Sequence, residues 1–402
     1  MMKKWRWILL LVFAFVMGFV FSLLMYQGYW YRFVDGLKTL SWYEYPIWLV
    51  LTFMITLTLH ELGHLVCMVV QGIKIRALYL YMILIYRTEK GWRIKLKPKL
   101  WFLLGGFVVP DLGVIEDDET YKTIVDKFAK SLQAGPRVTI GFLFVSIISF
   151  ILAIAFDWNS GFTGILSLLM FYTIILSSLY IKSFKLSNAS FYGDFVAYKK
   201  MKDDIIFQLV EISQYRSFSL IESKETDLYL FNQIKKIMKN SELKSSLFNQ
   251  VLIIGYIEGV CYNGYEDDQD IQMKLMRYPL HPHYRSEQGI TLLYDIALYY
   301  YHLGLVEKSY QLIDEIKKKA NQKIDEKMRT YLELKHQHIL HIADHSEFLS
   351  QKDNFVFRLS GLFEDLVDLS EMTKLMHEKR PFQPWFTEVH LFDEDKQKSD
   401  SN

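Results

Sequence analysis

Cysteine is almost absent from this chain. Only Cys67 and Cys261 occur among its 402 residues, far apart and in no CxxC spacing. Because Cys67 also lies within an apolar run, we do not expect a disulfide between them. The scarcity of cysteine indicates folded parts that face a reducing compartment or lie in lipid.

An excess of charge is missing as well. The 46 Lys and Arg residues and 45 Asp and Glu residues give a formal net charge of +1. A chain so close to neutral has no general electrostatic attraction for nucleic acid, and we predict no nucleic-acid partner. The second half also lacks a phosphate-binding loop and a nucleophile motif, so a second enzyme is not expected there.

Long apolar runs are missing after residue 182 and frequent before it. Four candidate spans occupy residues 7–25, 46–71, 138–156 and 162–181. Since about 20 apolar residues cross the hydrocarbon of a bilayer, the first half predicts a polytopic membrane core of about four spans. The alternative for residues 7–25, a signal peptide, is disfavoured because its apolar part is usually only about 7–15 residues long.

Basic residues indicate the orientation of these spans. They concentrate before the first span and at residues 74–99. Cytoplasmic loops carry an excess of Lys and Arg, and an even number of spans leaves both ends of the chain on one side. The sequence therefore predicts a multi-pass protein of the cell membrane with cytoplasmic N- and C-termini.

The remaining segments complete a mainly α fold. Residues 28–45 predict an interfacial or external loop, residues 77–86 and 92–96 short strands, and residues 100–110 a re-entrant or surface-lying segment. We expect a membrane-embedded domain at 1–200, a soluble all-α cytoplasmic domain at 201–392 and a disordered tail at 393–402.

One part of the helical domain has a recognisable pattern. The segment from Ala297 to Ile313 resembles a single tetratricopeptide-type hairpin, in which small residues let two helices pack closely. A plain helical bundle fits the same pattern. Either architecture predicts a docking or regulatory surface for a protein partner.

The run His60-Glu61-Leu62-Gly63-His64 carries the clearest chemistry. Histidines four residues apart lie on one side of a helix and can bind one Zn²⁺ ion, while the neighbouring glutamate takes a proton from the attacking water. The run interrupts an apolar helix, where each ionisable group costs on the order of 2.5–3.5 kcal/mol. This cost favours a catalytic interpretation over a helix that ends in polar residues at the interface.

With its surroundings, this motif resembles the site-2 protease family of intramembrane zinc metalloproteases, peptidase family M50. The resemblance covers roughly residues 45–200. After the HELGH helix come a basic, β-prone stretch, a Gly-Gly-Phe-Val segment at 105–108, and Ala134-Gly135-Pro136 before a span. It implies a zinc endopeptidase that cleaves a membrane-spanning or signal-like peptide in the lipid bilayer. It also implies zinc ligation by His60, His64 and Asp194, with Glu61 as general base.

Alternatives remain for the third ligand and for the function. Asp111 and residues 116–119 are on the same predicted side of the membrane as the histidines, and Asp194 could instead cap the next helix. In place of the family's Asn-x-x-Pro and Leu-Asp-Gly, residues 187–195 read Ser-Asn-Ala-Ser-Phe-Tyr-Gly-Asp-Phe. An inactive pseudoprotease, acting as a membrane scaffold or immunity protein through its helical domain, is therefore the alternative function.

Other histidines offer weaker candidate sites. His338, His341 and His345 share one helical face, and His281 and His283 flank a proline. A solvated or packed histidine is the favoured interpretation for each. The sequence does not identify substrate-binding residues.

Overall fold

The computed structural model describes residues 28–98, 106–187, 192–320 and 324–351, together with a few isolated positions. The predicted first span at 7–25 lies outside the described residues apart from isolated positions. Residues 99–105, residues 188–191 and the predicted tail at 393–402 also lie outside them.

Three long apolar helices form the membrane half of the described chain. They are Glu44–Val70 (α2), Asp118–Ala155 (α3) and Ser160–Ser183 (α4), each long and apolar enough to cross a bilayer. Many of their large apolar side chains point outward, including Val50, Phe144 and Leu179. The described residues thus contain three candidate spans at the predicted places, and the count of four stays a prediction.

Helix α3 is longer than the span predicted within it. Its 38 residues begin after Asp117, whose carboxylate accepts a hydrogen bond of 2.7 Å from the Thr120 N–H, and they include Pro136. The predicted span began at residue 138, so the helix is about 20 residues longer at its N-terminal end. The helix continues because packed neighbours tolerate proline within a membrane helix.

A short helix precedes α2, and a small sheet lies between α2 and α3. Helix α1, Tyr29–Lys38, occupies most of the segment predicted to be a loop. The strands are Lys74–Leu80 (β1), Ile83–Thr88 (β2), Gly91–Leu96 (β3) and Gly106–Asp111 (β4), in the antiparallel order β3-β2-β1-β4. The two predicted strand regions are confirmed. The end of the predicted re-entrant segment is instead strand β4, because β1 supplies it with hydrogen-bonding partners from Lys74 to Leu80.

The regular elements described from Asp194 onward are all helices. The α-helices are Asp194–Asp203 (α5), Ile205–Arg216 (α6), Lys224–Asn240 (α7), Leu247–Cys261 (α8), Gln269–Met276 (α9), Glu287–His302 (α10), Val306–Ala320 (α11), Glu326–Ile339 (α12) and Ser346–Ser350 (α13). A 3₁₀ helix, His281–Arg285, precedes α10. Helices α10 and α11 pack as a hairpin, and its tetratricopeptide character stays a prediction.

The membrane half (residues 28–187) and the helical half (residues 192–351) share one hydrophobic core. A continuous cluster of buried side chains runs from Met68 and Phe128 in the membrane half to Leu252 and Ile296 in the helical half. Polar contacts reinforce it: the Ile115 N–H donates to the Thr226 hydroxyl at 2.8 Å. The first helix of the helical half, α5, packs against α3, and the domain boundary near residue 200 stays a prediction.

Candidate metal centre

Helix α2 presents both histidines of the HELGH run to one point. His60 and His64 are buried, and their Nε2 atoms are 3.1 Å apart. A separation of four residues places side chains one above the other on a helix face. The spacing in the sequence and the geometry in the structure therefore agree.

Asp194 completes a group of three at the first residue of α5. Its Oδ2 atom lies 3.1 Å from His60 Nε2 and 3.7 Å from His64 Nε2. Burial disfavours the carboxylate, but hydrogen bonds with His60 and His64 outweigh this and hold the pKa of Asp194 at about 2. The Asp194 side chain is thus an anion aimed at both imidazoles.

The separations fit a tetrahedral metal ion. Two ligands at zinc distances of about 2.0–2.1 Å and at a tetrahedral angle are about 3.3 Å apart. The three separations here, 3.1, 3.1 and 3.7 Å, lie around that value. Nitrogen and carboxylate oxygen ligands also match the preference of zinc, so these residues can hold the ion.

Helix α3 orients both histidine rings through contacts with their Nδ1 atoms. His60 Nδ1 lies 3.0 Å from the Thr139 hydroxyl, and His64 Nδ1 lies 2.7 Å from the Ser131 carbonyl oxygen. A carbonyl oxygen can only accept, so His64 Nδ1 carries a proton, and in the neutral imidazole this leaves Nε2 with the lone pair that a metal ion needs. Such contacts fix the ring orientation that a metal ligand needs.

Glycines allow the elements around the centre to approach. A Cβ atom at Gly135 would overlap the His64 and His60 rings, and one at Gly106 would overlap the Glu61 side chain. A Cβ atom at Gly63 would lie 3.0 Å from the Ala134 carbonyl oxygen. The Gly-Gly-Phe-Val and Ala-Gly-Pro segments noted in the sequence therefore bring β4 and α3 against the motif.

Glu61 and the three grouped residues open into a common cavity of about 570 Å³. Its walls come from the membrane half, through α2, β4 and α4, and from α6 and α8 of the helical half. Tyr180 of α4 also lines it, and its buried hydroxyl has no hydrogen-bond partner among the described residues. A substrate backbone in this cavity would lie next to both Glu61 and the histidine pair.

The other candidate ligands lie elsewhere. Asp111 accepts a hydrogen bond of 2.6 Å from the Ser219 hydroxyl, and Asp118 accepts one of 2.6 Å from Tyr229. His338 is packed with Asp344, and His345 contacts Gln337. Within the described ranges, His60, His64 and Asp194 form the one cluster of His, Cys, Asp or Glu side chains close enough for a metal ion.

The family comparison agrees with this geometry. The sequence model of peptidase family M50 matches residues 48–352, about three quarters of the chain. This chain belongs to peptidase family M50. Its M50 membership confirms the resemblance to the site-2 proteases, which are zinc metalloproteases. Comparisons with curated proteins and with solved structures find no match.

The M50 match reaches well into the helical half, which the sequence-based resemblance at 45–200 did not. Sequence patterns also missed the supporting residues Ser131 and Thr139 and the cavity-lining helix α6. The Ala-Gly-Pro segment lies between Ser131 and Thr139 and was the available signal for that part of α3.

Proposed function

We propose that this M50 protein is an intramembrane zinc endopeptidase that cleaves a membrane-spanning or signal-like peptide. The observation that carries the proposal is the convergence of His60, His64 and Asp194 within 3.7 Å beside Glu61. All four side chains meet in a cavity large enough for part of a peptide. Three protein ligands with one open position are typical of catalytic zinc sites.

The roles of the residues follow from their chemistry. His60, His64 and Asp194 hold the ion, and Thr139 and Ser131 fix the two imidazoles. Zinc bound there supplies Lewis-acid activation of a water molecule. Glu61 takes a proton from the attacking water and donates it to the leaving amine, as a general base and then a general acid.

The surroundings of the centre support a substrate within the membrane. Glu61 belongs to a candidate span, and the outward faces of α2, α3 and α4 are apolar. A helical substrate must unwind locally before its amide reaches such a centre, because a helix keeps its backbone groups paired. We further propose a multi-pass location in the cell membrane with cytoplasmic termini.

Substitution of Glu61 tests the enzymatic function. Glu61→Gln keeps the size of the side chain but removes the base, so zinc stays bound and cleavage of a single-span peptide in proteoliposomes stops. His60→Ala loses both zinc and cleavage. Zinc content by mass spectrometry and product formation are the two measurements, and near-normal turnover in Glu61→Gln would refute the mechanism.

A further inference from the structure

One face of helix α6 forms a wall of the active-site cavity. Phe207, Val210, Glu211, Gln214 and Tyr215 recur at the spacing of a single helical face, and all five line the cavity. The same cavity contains Glu61 and the three grouped ligands. The helical half therefore contributes directly to the surface that a bound peptide would contact.

Glu211 differs from the other acids of this cavity. Asp194 contacts both histidines, and Glu61 lies within the HELGH run between them, whereas Glu211 has no hydrogen bond or ion pair with any described residue. Its side chain is half-buried among Phe207, Val210 and Tyr215. Burial raises the pKa of Glu211 to about 7, because its anion has lost much of its hydration.

Asp267, another acid of the helical half, has hydrogen-bond partners. Asp267 receives hydrogen bonds from the hydroxyls of both Tyr256 and Tyr299, the latter at 2.8 Å. Buried polar groups are normally paired in this way, since an unpaired one costs free energy. Glu211 has no equivalent partner within the described part of the chain, although its carboxylate lies in an otherwise mainly apolar and aromatic wall.

Positive side chains are missing from the described lining of the cavity. Among the residues that the structure describes, its charged lining consists of Glu61, Asp194, Glu211 and the two histidines, without lysine or arginine. A second metal ion at Glu211 is not indicated, because the described residues contain no further cluster of ligands there. A cation that arrives with the substrate would offset the desolvation of the Glu211 carboxylate.

We propose that Glu211 is a specificity-determining residue that binds a lysine or arginine side chain of the substrate peptide. This inference rests on the proposed peptidase function, and it gives the helical half a role in choosing the substrate. The preferred peptide carries a basic residue at a fixed distance from the bond to be cleaved. Aromatic side chains on both sides of Glu211 would cover the aliphatic part of that residue.

Binding to an inactive protein tests the proposal without turnover. The full chain with Glu61→Gln, loaded with zinc in nanodiscs, is titrated with fluorescent single-span peptides in which lysine or norleucine is scanned along the sequence. At one position we expect the lysine peptide to bind about tenfold more tightly than the norleucine peptide. This ratio lies between those expected for an exposed and for a fully buried ion pair. Adding Glu211→Gln should reduce that ratio toward one.

Controls assign the effect to Glu211. Glu242→Gln removes an exposed glutamate away from the cavity lining and should keep the preference for lysine. Glu211→Lys should reverse it in favour of a glutamate at the same peptide position. Equal binding of lysine and norleucine at every position would overturn the proposal, and this comparison needs no change at residue 211 that could impair folding.

The remaining outcomes separate the two hypotheses. A lysine preference that survives Glu211→Gln would also overturn the assignment to this residue. If the lysine peptide binds selectively but the unmodified protein does not cleave it, the proposed peptidase function is wrong while the Glu211 subsite stands.

Discussion

The membrane half and the helical half of this protein place their apolar and polar side chains differently. In the membrane half, large apolar side chains such as Val50 and Phe144 point outward, while His60, Glu61 and His64 are buried. In the helical half, the core consists of residues such as Leu252 and Ile296. Lipid provides no hydrophobic driving force between helices, whereas water does. The two halves therefore depend on different interactions for stability.

The contact surfaces reflect this difference. Helices α1 and α4 approach at Gly36 and Gly164, and α2 and α3 approach at Gly63 and Gly135. Small residues allow the close packing that holds helices together in lipid. The helical half adds contacts between large side chains, such as the stacked rings of Phe231 and Tyr256 at 5.4 Å, and Gly259 likewise leaves no room for a Cβ atom beside Phe231. In the membrane half the close glycine contacts surround the metal centre, so adding a side chain there should affect zinc binding directly.

The largest effect is expected from Gly135→Val. The added side chain would overlap both imidazole rings, because a Cβ atom there already meets the His64 and His60 rings. We expect zinc binding and cleavage to be lost, measured by metal content and peptide turnover. Gly141→Val, on the same helix with no atom within 4 Å of its Cβ, is the matched control. Normal zinc content in Gly135→Val would contradict the close contact.

Asp194→Asn should come next. The amide retains the size of the side chain but loses the charge directed at His60 and His64. Loss of a supporting partner alone costs about 10–100-fold in zinc affinity, and a ligand should cost at least as much. Isothermal titration with zinc checks this. Asp111→Asn is the control, since Asp111 contacts Ser219 instead; a weakening there but not at residue 194 would transfer the role to Asp111.

The motif was predictable because its information is local. His60 and His64 are one helical turn apart, so their convergence follows from helix geometry alone. The three candidate spans among the described residues, α2, α3 and α4, follow from apolar length. Thr139 is 79 residues from His60, and its contact depends on how α2 crosses α3. No pattern within one sequence specifies that crossing, so the contacts of Thr139 and Ser131 with the two histidines could not be derived from the sequence.

Thr139→Val should have an intermediate effect. Valine has nearly the same shape but cannot hydrogen-bond to His60 Nδ1, which lies 3.0 Å from the Thr139 hydroxyl. We expect zinc affinity or activity to fall about 10–100-fold, the range for partners that orient a ligand. Thr163→Val is a matched change in α4, where the hydroxyl donates to the Trp158 carbonyl instead. An equal effect of both substitutions would indicate general damage to packing.

Helix α6 shows a different limit of sequence analysis. The sequence predicted helices throughout residues 201–392 and assigned no contact to any face of this one. The structure directs the face that contains Val210 and Glu211 into the active-site cavity. An amphipathic pattern identifies the buried face but not what the face contacts, because that depends on the arrangement of distant elements. For this reason Glu211 did not stand out in the sequence.

We expect the smallest effect from a substitution at the exposed contact between α3 and α7. The Asp118 carboxylate, in the first turn of α3, accepts hydrogen bonds from Tyr229 at 2.6 Å and Gln233 at 3.0 Å on α7. Asp118→Ala removes both contacts, but these groups are exposed and the shared apolar core remains. We expect the melting temperature to fall by no more than a few degrees and zinc content to stay normal. Glu119→Ala removes a neighbouring charge from the same helical turn and controls for the helix dipole. A loss of zinc in Asp118→Ala alone would mean that these exposed contacts, rather than the buried core, hold the helical half against the metal centre.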